Sequence, residues 1–203
     1  MQSIVLSRRN IKENDQIISF YTLEKGKKEI LARGVKKIIS KNSAHLESFS
    51  FVDAEIISGK EIDYLGAVQP INYFVNIRKD LKKGLAAGAL VFALDKLLHE
   101  GERDEKVFGL LLSWLEHLNN IKEYDNILLD AFFVKLLSLL GFNITEVKNV
   151  VGSAKEDLTF LEKSSWQEIN IFVYKKSLHN FIYKFLLFNT DRKIGDWGKL
   201  PLN

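Results

Sequence analysis

The chain of 203 residues contains no cysteine and only two prolines, at positions 70 and 201. The absence of cysteine excludes disulfide bonds, thiolate metal ligands and cysteine nucleophiles, and it favours an intracellular, cytoplasmic location. No apolar run approaches the roughly 20 residues that cross a bilayer, and the first ten residues lack the long apolar core of a signal peptide. We therefore predict no membrane association.

Recognisable catalytic and nucleotide-binding patterns are also missing. The sequence contains no Walker-type GxxxxGK[ST] loop, no GxGxxG fingerprint and no GxSxG nucleophile elbow. The four histidines, at positions 45, 99, 117 and 179, are scattered and never adopt a metal-binding spacing. We predict that the protein is not an enzyme and that it uses no cofactor and no metal.

Positive charge is concentrated in the first fifth of the chain. Residues 1–41 contain ten Lys or Arg residues and four Asp or Glu residues, which gives a net charge of +6. The whole chain carries +3, so the remainder is mildly acidic at −3. This distribution predicts a polyanion-binding surface confined to one N-terminal module, with an ordinary solvated charged face as the alternative.

Short β-prone runs fill the first 70 residues. Strands are predicted at 3–7, 16–21, 28–32, 48–57 and 61–68, with a Gly26-containing turn between the second and third. Residues 35–45 are predicted to form a long loop or a short helical turn. Five short strands with one long connection are typical of a small closed barrel.

After Pro70 the apolar residues recur at helical spacing. Helices are predicted at 76–98, 104–118, 125–141, 151–163 and 169–188, with Asp104 and Asp125 at helix starts and Gly101 as a C-cap. The sequence therefore predicts an α+β chain with a strand domain at residues 1–72 and a helical domain at residues 73–203.

The N-terminal block resembles RecO, a family of bacterial recombination mediators. The resemblance depends on Ser-Arg-Arg at 7–9, Glu-Asn-Asp at 13–15 and Ala-Arg-Gly-Val at 32–35 followed by two lysines. It continues through Arg-Lys-Asp-Leu at 78–81 to Leu-Leu-Gly-Phe at 139–142. For the fold, it implies a five-stranded OB-fold β-barrel followed by an all-helical domain.

For function, the resemblance implies a non-enzymatic mediator of DNA repair and homologous recombination. Such a protein binds single- and double-stranded DNA, promotes strand annealing and helps recombinase loading. The implied protein partners are a RecR-type ring protein and the acidic C-terminal tail of single-stranded DNA-binding protein. The alternative is a protein-interaction scaffold whose basic OB barrel docks an acidic partner rather than DNA.

Eight basic residues are predicted to contact DNA phosphates: Arg8, Arg9, Lys27, Lys28, Arg33, Lys36, Lys37 and Lys41. Such contacts neutralise phosphates and release counterions without reading base sequence. Neighbouring strand residues face opposite sides, so Arg8 and Arg9 share one groove only if a bulge intervenes. Tyr21 is a candidate for base stacking, and packing against the hairpin is the alternative.

A receptor for the acidic tail requires a shallow apolar pocket rimmed by basic side chains. The helical domain offers two candidate groups, and the sequence does not choose between them. One comprises Lys79, Lys82 and Lys83, and the other comprises Lys175 and Lys176 near Phe172 and Tyr174. An ordinary solvated helix face is the alternative for both.

Many RecO proteins carry a four-cysteine zinc module after the Leu-Gly-Phe segment, and this chain has no cysteine with which to build one. We predict that no structural zinc is bound. Residues 143–163 are instead expected to cover the helical core as one short amphipathic helix. The apolar residues available for this contact are Val147, Val150, Val151, Leu158, Phe160 and Leu161.

Overall fold

Five strands form from the β-prone runs of the first 72 residues. The computed structural model describes residues 1–37, 40–147 and 151–200. The strands are β1 (Gln2–Asn10), β2 (Gln16–Thr22), β3 (Gly26–Ala32), β4 (Phe51–Ile57) and β5 (Asp63–Asn72). They close into a barrel in the order β1-β2-β3-β5-β4. Four of the pairings are antiparallel, and β3 pairs with β5 in parallel through Ile30 and Leu31.

Strand β1 is buried on both faces along its first half. Val5 points into the barrel, where it packs in one cluster with Ile18, Phe20 and Ile30. Ile4 and Leu6 belong to a second cluster that includes the helical core. Because successive side chains of a strand alternate between faces, β1 joins the two cores directly.

Seven helices follow the barrel in the part of the chain that the structure describes. They are α1 (Val75–Lys79), α2 (Leu81–Leu97), α3 (Glu105–Asn120), α4 (Ile127–Leu139), α5 (Ser153–Lys163), α6 (Trp166–Ile169) and α7 (Lys176–Thr190). Short 3-10 turns lie at Ser43–His45, Ile144–Glu146 and Trp197–Lys199. Helix α4 is buried almost all round and forms the centre of the domain. The α+β architecture predicted from the sequence is therefore confirmed.

Several predicted boundaries differ from the structure. Strand β5 continues to Asn72 through Pro70, which was expected to end it. Strand β5 pairs with β3 only at its start, so at Pro70 it has a described partner strand, β4, on one side only. A proline, which lacks the N–H, is tolerated at such an edge position. The chain then passes from β5 to α1 between Asn72 and Val75.

The first predicted helix is divided in two. Asp80 has extended backbone angles, and its carboxylate accepts from the Lys83 amide at 3.1 Å, so α2 starts with its own cap. The helix predicted at 169–188 begins later, at Lys176 as α7, and the short helix α6 ends where that prediction began. At the start of α3, the Asp104 carboxylate accepts from the amides of Lys106 and Val107. That predicted cap is confirmed.

The turn after α2 packs directly on the β2–β3 hairpin. Gly101 does not cap α2, as was predicted, since the helix ends at Leu97 and the Gly101 amide donates to the Lys27 carbonyl at 2.9 Å. Gly26 begins β3 with φ +64°, and a Cβ there would lie 2.0 Å from the Glu102 carbonyl oxygen. Only glycine fits this contact between the two domains.

The region expected to replace a zinc module contains helix α5, whose Leu158 and Leu161 are buried. Phe160 is half-buried and stacks on Phe172, with ring centroids 5.3 Å apart. Val147 packs against the helical core, whereas Val151 is exposed. Val150 lies outside the described residues.

Candidate nucleic-acid interface

Lys27, one of the eight predicted DNA contacts, lies at the boundary between the barrel and the helical domain. Its ammonium group is 3.1 Å from the Asp95 carboxylate of α2. Asp95 also accepts hydrogen bonds from the hydroxyls of Ser7 and Ser19, each at 2.6 Å. Lys27 therefore joins the domains, which corrects its predicted role as a phosphate contact.

The Asp95 site favours an ionised carboxylate. Burial alone would raise the pKa of Asp95, but hydrogen bonds from Ser19, Ser7 and Lys27 outweigh it and hold the pKa below its ordinary value. Two hydroxyls and one ammonium from the barrel thus converge on one charged side chain of α2. Asp95 was missed in the sequence, because residues 7, 19, 27 and 95 are distant in the chain.

The stacking hypothesis for Tyr21 is also wrong. Tyr21 is 1% exposed. Its ring stacks on Phe108 with centroids 6.2 Å apart, and its hydroxyl donates to the Asp104 carbonyl at 3.2 Å. Burial raises the pKa of this phenol to about 12. A nucleobase has no access to the ring.

Arg8, Arg9 and Lys28 each approach carboxylates on the barrel surface. Arg8 pairs with Glu47 and Arg9 pairs with Glu29, both at 2.7 Å. The register shift of β1 lies between Val5 and Ser7, before both arginines, so it does not place them on one face. Their two acidic partners lie on different segments of the chain. Lys28 lies 3.9 Å from both Asp63 and Glu100. Such exposed pairs are worth about 0–1 kcal/mol, so they can exchange for phosphates but are not reserved for them.

The remaining predicted cations lie together after β3. We define the basic loop as residues 33–41, of which 38 and 39 lie outside the described residues; its cations are Arg33, Lys36, Lys37 and Lys41, all exposed. The three lysines make no ion pair within the described parts of the chain. Among the eight cations predicted to contact DNA, these three lysines are therefore not neutralised by a carboxylate of the described residues.

Backbone contacts hold the basic loop against the barrel. The Gly34 amide donates to the Asp15 carboxylate at 2.7 Å, and the Lys36 amide donates to the Asn14 carbonyl at 3.2 Å. Val35 between them is buried in the barrel core. Beyond the loop, the Asn42 side-chain amide donates to the Gly66 carbonyl of β5 at 2.8 Å. Both ends of the basic loop are thus held on the barrel.

Arg33 has an aromatic neighbour that the sequence did not indicate. Its guanidinium carbon lies 4.4 Å from the centroid of the Tyr64 ring, and Nη2 donates to the Tyr64 hydroxyl at 3.1 Å. Tyr64 is half-buried on β5. The pairing of Leu31 with Tyr64 brings the two residues together across the β3–β5 junction.

The two predicted groups of helical-domain lysines differ in their surroundings. Lys79 and Lys82 are exposed, but Lys83 is 4% exposed and donates to the Ile121 carbonyl. Lys175 and Lys176 are exposed, and Lys175 lies over the Phe172 ring at 5.3 Å. Lys175 also borders a groove of about 290 Å³ between α5 and α7, which Val151, Leu178 and Phe181 line.

A buried histidine ties the C-terminal segment to the helical core. His179 lies 2.8 Å from Asp130 of α4 and 2.9 Å from Asp196, and the Trp197 indole donates to the same Asp130 oxygen at 2.7 Å. Burial alone would lower the pKa of His179, but hydrogen bonds and charge from Asp130 and Asp196 outweigh it and raise the pKa. His179 thus lies between two carboxylates that favour its protonated form.

Within the ranges that the structure covers, no three His, Asp or Glu side chains converge as a metal-binding group. No helix described is long and apolar enough to span a membrane.

The closed five-stranded barrel with an appended helical domain defines an OB-fold protein with an exposed basic loop. The RecO N-terminal model, described as "Recombination protein O N terminal", matches residues 1–74. The corresponding C-terminal model matches residues 78–173. The chain belongs to the RecO family, a family of DNA repair mediators rather than enzymes.

Curated relatives named DNA repair protein RecO match the same chain. The protein from Symbiobacterium thermophilum is 35% identical over 142 residues, which cover 70% of this chain and 56% of the relative. That from Desulforamulus reducens is 33% identical over 141 residues, covering 70% and 54%. That from Caldanaerobacter subterraneus is 27% identical over 163 residues, covering 80% and 66%. The chain thus spans between about half and two thirds of these relatives.

Proposed function

We propose that this protein binds single- and double-stranded DNA through the basic loop. The observation that carries the proposal is the group of exposed lysines at 36, 37 and 41, which have no ion-pair partner among the described residues. Phosphate binding by Lys depends on accessible positive charge, and these lysines are exposed. Arg8, Arg9 and Lys28 are secondary contacts, since they first exchange a carboxylate for a phosphate.

Strand annealing and help in recombinase loading are the activities we assign to this binding. Neutralised phosphates let two complementary strands approach, and base pairing then supplies the free energy, so no nucleotide hydrolysis is needed. Membership of the RecO family supports this assignment. The expected compartment is the cytoplasm.

We assign two protein partners, a RecR-type ring protein and the acidic C-terminal tail of single-stranded DNA-binding protein. For the tail, the groove between α5 and α7 is favoured over the surface around Lys79 and Lys82. The groove combines an apolar lining at Leu178 and Phe181 with the exposed Lys175 at its border. Lys175 already pairs with Asp157 at 2.6 Å, so a carboxylate of the tail would replace one on the protein.

The salt dependence of binding tests the proposal. If the four cations of the basic loop each contact one phosphate, log affinity falls against log salt with a slope of about −2.8 for single strands and about −3.6 for duplex. Fluorescence anisotropy with an oligothymidylate and with a duplex of equal length, over a salt series, measures both slopes. A slope near zero, or no binding at low salt, would refute DNA binding.

A scaffold that docks an acidic protein is the second candidate function. It is favoured by Arg8 and Arg9, whose ion pairs show that this surface already binds carboxylates. The triple variant Lys36→Ala, Lys37→Ala, Lys41→Ala separates the two candidates. We expect it to weaken binding to every DNA sequence alike and to lower the magnitude of the duplex slope by about 2.7.

The matched control removes three exposed lysines from α5 and α7: Lys155, Lys163 and Lys184. It makes the same change in net charge at another surface, and we expect it to leave both slopes almost unchanged. If the basic-loop variant binds DNA normally but loses a protein partner, the scaffold function is correct and the DNA-binding function is wrong.

A further inference from the structure

Arg33 is more constrained than the other cations of the basic loop. It both lies over the Tyr64 ring, 4.4 Å from its centroid, and donates to the hydroxyl of the same residue at 3.1 Å. Arginine stacks on aromatic rings through one face of its planar guanidinium. Because Arg33 is exposed, the opposite face and the remaining N–H groups are accessible to a ligand.

The scaffold beneath this pair is rigid on both sides. Arg33 directly follows β3, and the Gly34 amide after it is anchored by Asp15 at 2.7 Å. Tyr64 is in register with Leu31 of β3 and with Ile57 of β4, where the barrel closes. A planar group held in this way costs little conformational entropy when a second planar group stacks on it.

We propose that Arg33, supported by Tyr64, is a stacking platform for an unpaired nucleobase, an inference that rests on the proposed DNA-binding function. The lysines of the same loop hold the flanking phosphates. In a duplex each base face is already covered by its neighbours, so the platform acts on single strands. It replaces the stacking role that the sequence suggested for Tyr21.

The decisive variant is Arg33→Lys, which keeps the positive charge and removes the plane. We expect it to weaken binding to an oligothymidylate about tenfold, in line with the loss of one stacked base. Binding to a duplex of equal length and both salt slopes should stay unchanged, because the number of phosphate contacts is the same. Tyr64→Leu, which removes the support for the guanidinium, should have the same selective effect.

Lys36→Ala is the matched control from the same loop. It should weaken binding to both kinds of DNA and reduce the slope magnitude by about 0.7 for single strands and about 0.9 for duplex. Thermal melting shows whether Tyr64→Leu folds. If Tyr64→Leu does not fold, the Arg33→Lys variant, at an exposed position, tests the stacking platform by itself.

The platform is refuted if Arg33→Lys binds single strands like the wild type while Arg33→Ala weakens binding to single strands and duplex alike. That result would leave Arg33 as a phosphate contact without a stacking role and would leave the proposed DNA-binding function intact. If the wild-type protein binds neither DNA, the proposed function itself fails, and the two failures are therefore distinguishable.

Discussion

Replacing Asp95 by alanine should weaken the contact between the barrel and the helical domain and so lower the free energy of unfolding. The change removes the acceptor of the hydrogen bonds from Ser7 and Ser19 and the carboxylate that faces the Lys27 ammonium. Lys27 keeps its hydrogen bond to the backbone carbonyl of position 95. Hydrogen bonds to charged groups contribute about 1.5–3 kcal/mol each, but three bonds to one carboxylate are not additive.

The burial of the pair sets the scale of the effect. The side chains of Lys27 and Asp95 are 14% and 19% exposed, so water compensates part of the loss. Breaking a fully buried pair costs about 3–5 kcal/mol, and we therefore expect a loss of about 3 kcal/mol here. For a chain of this size that corresponds to a fall in melting temperature of roughly 6–12 °C.

Thermal unfolding followed by circular dichroism measures this change. Asp95→Asn keeps the shape and one acceptor oxygen, and it should lose about half as much stability. Glu116→Ala, at an exposed position of α3, is the control and should stay within about 0.5 kcal/mol of the wild type. If Asp95→Ala also stays within that range, Asp95 does not hold the domains together and the assignment of Lys27 to the interface loses its energetic basis.

Three further predictions concern pH, metal and backbone. The raised pKa of His179 implies stabilisation that is complete below the unfolded pKa of about 6.5 and is lost as pH rises through the folded value. Urea unfolding at several pH values should show this loss, and His179→Gln should flatten the profile over that interval; an equally steep profile in the variant would contradict it. Elemental analysis should find no stoichiometric zinc, and EDTA should leave the melting temperature unchanged; one equivalent of zinc with chelator-sensitive melting would refute this. Gly26→Ala should destabilise by more than about 1 kcal/mol, because φ +64° and the Glu102 carbonyl exclude a Cβ, whereas Gly109→Ala, with open space around it, should not; equal melting of the two variants would show that the hairpin contact relaxes without cost.

Local patterns were sufficient to predict most of the architecture. Alternation of apolar residues identified five strands, and 3.6-residue spacing identified the helical region, because side-chain period follows directly from backbone geometry. The start of α3 at Asp104 was also predictable, since an N-cap acts on amides two or three residues away. The break at Asp80 and the later start of α7 at Lys176 were missed, because apolar residues continue across both positions.

Local sequence patterns predicted only part of the candidate site. The sequence by itself determined the family resemblance, the basic N-terminal module and the clustering of cations at 33–41, all of which are properties of neighbouring residues. Which cations are available was decided by tertiary structure. Lys27 and Lys36 are the same residue type in the same basic segment. Lys27 nevertheless contacts Asp95, 68 residues away, whereas Lys36 faces solvent.

The same physical reason explains why Tyr21 is buried, whereas Tyr64 lies next to the exposed Arg33. Both tyrosines lie on β-strands, and sequence gives no rule for which outward face the helical domain covers. Packing against Phe108 buries Tyr21, whereas closure of the barrel between β3 and β5 brings Tyr64 beneath Arg33. Charge and periodicity are local and therefore encoded in short segments, but the neutralisation of a charge and the exposure of a ring depend on partners that only the folded chain supplies.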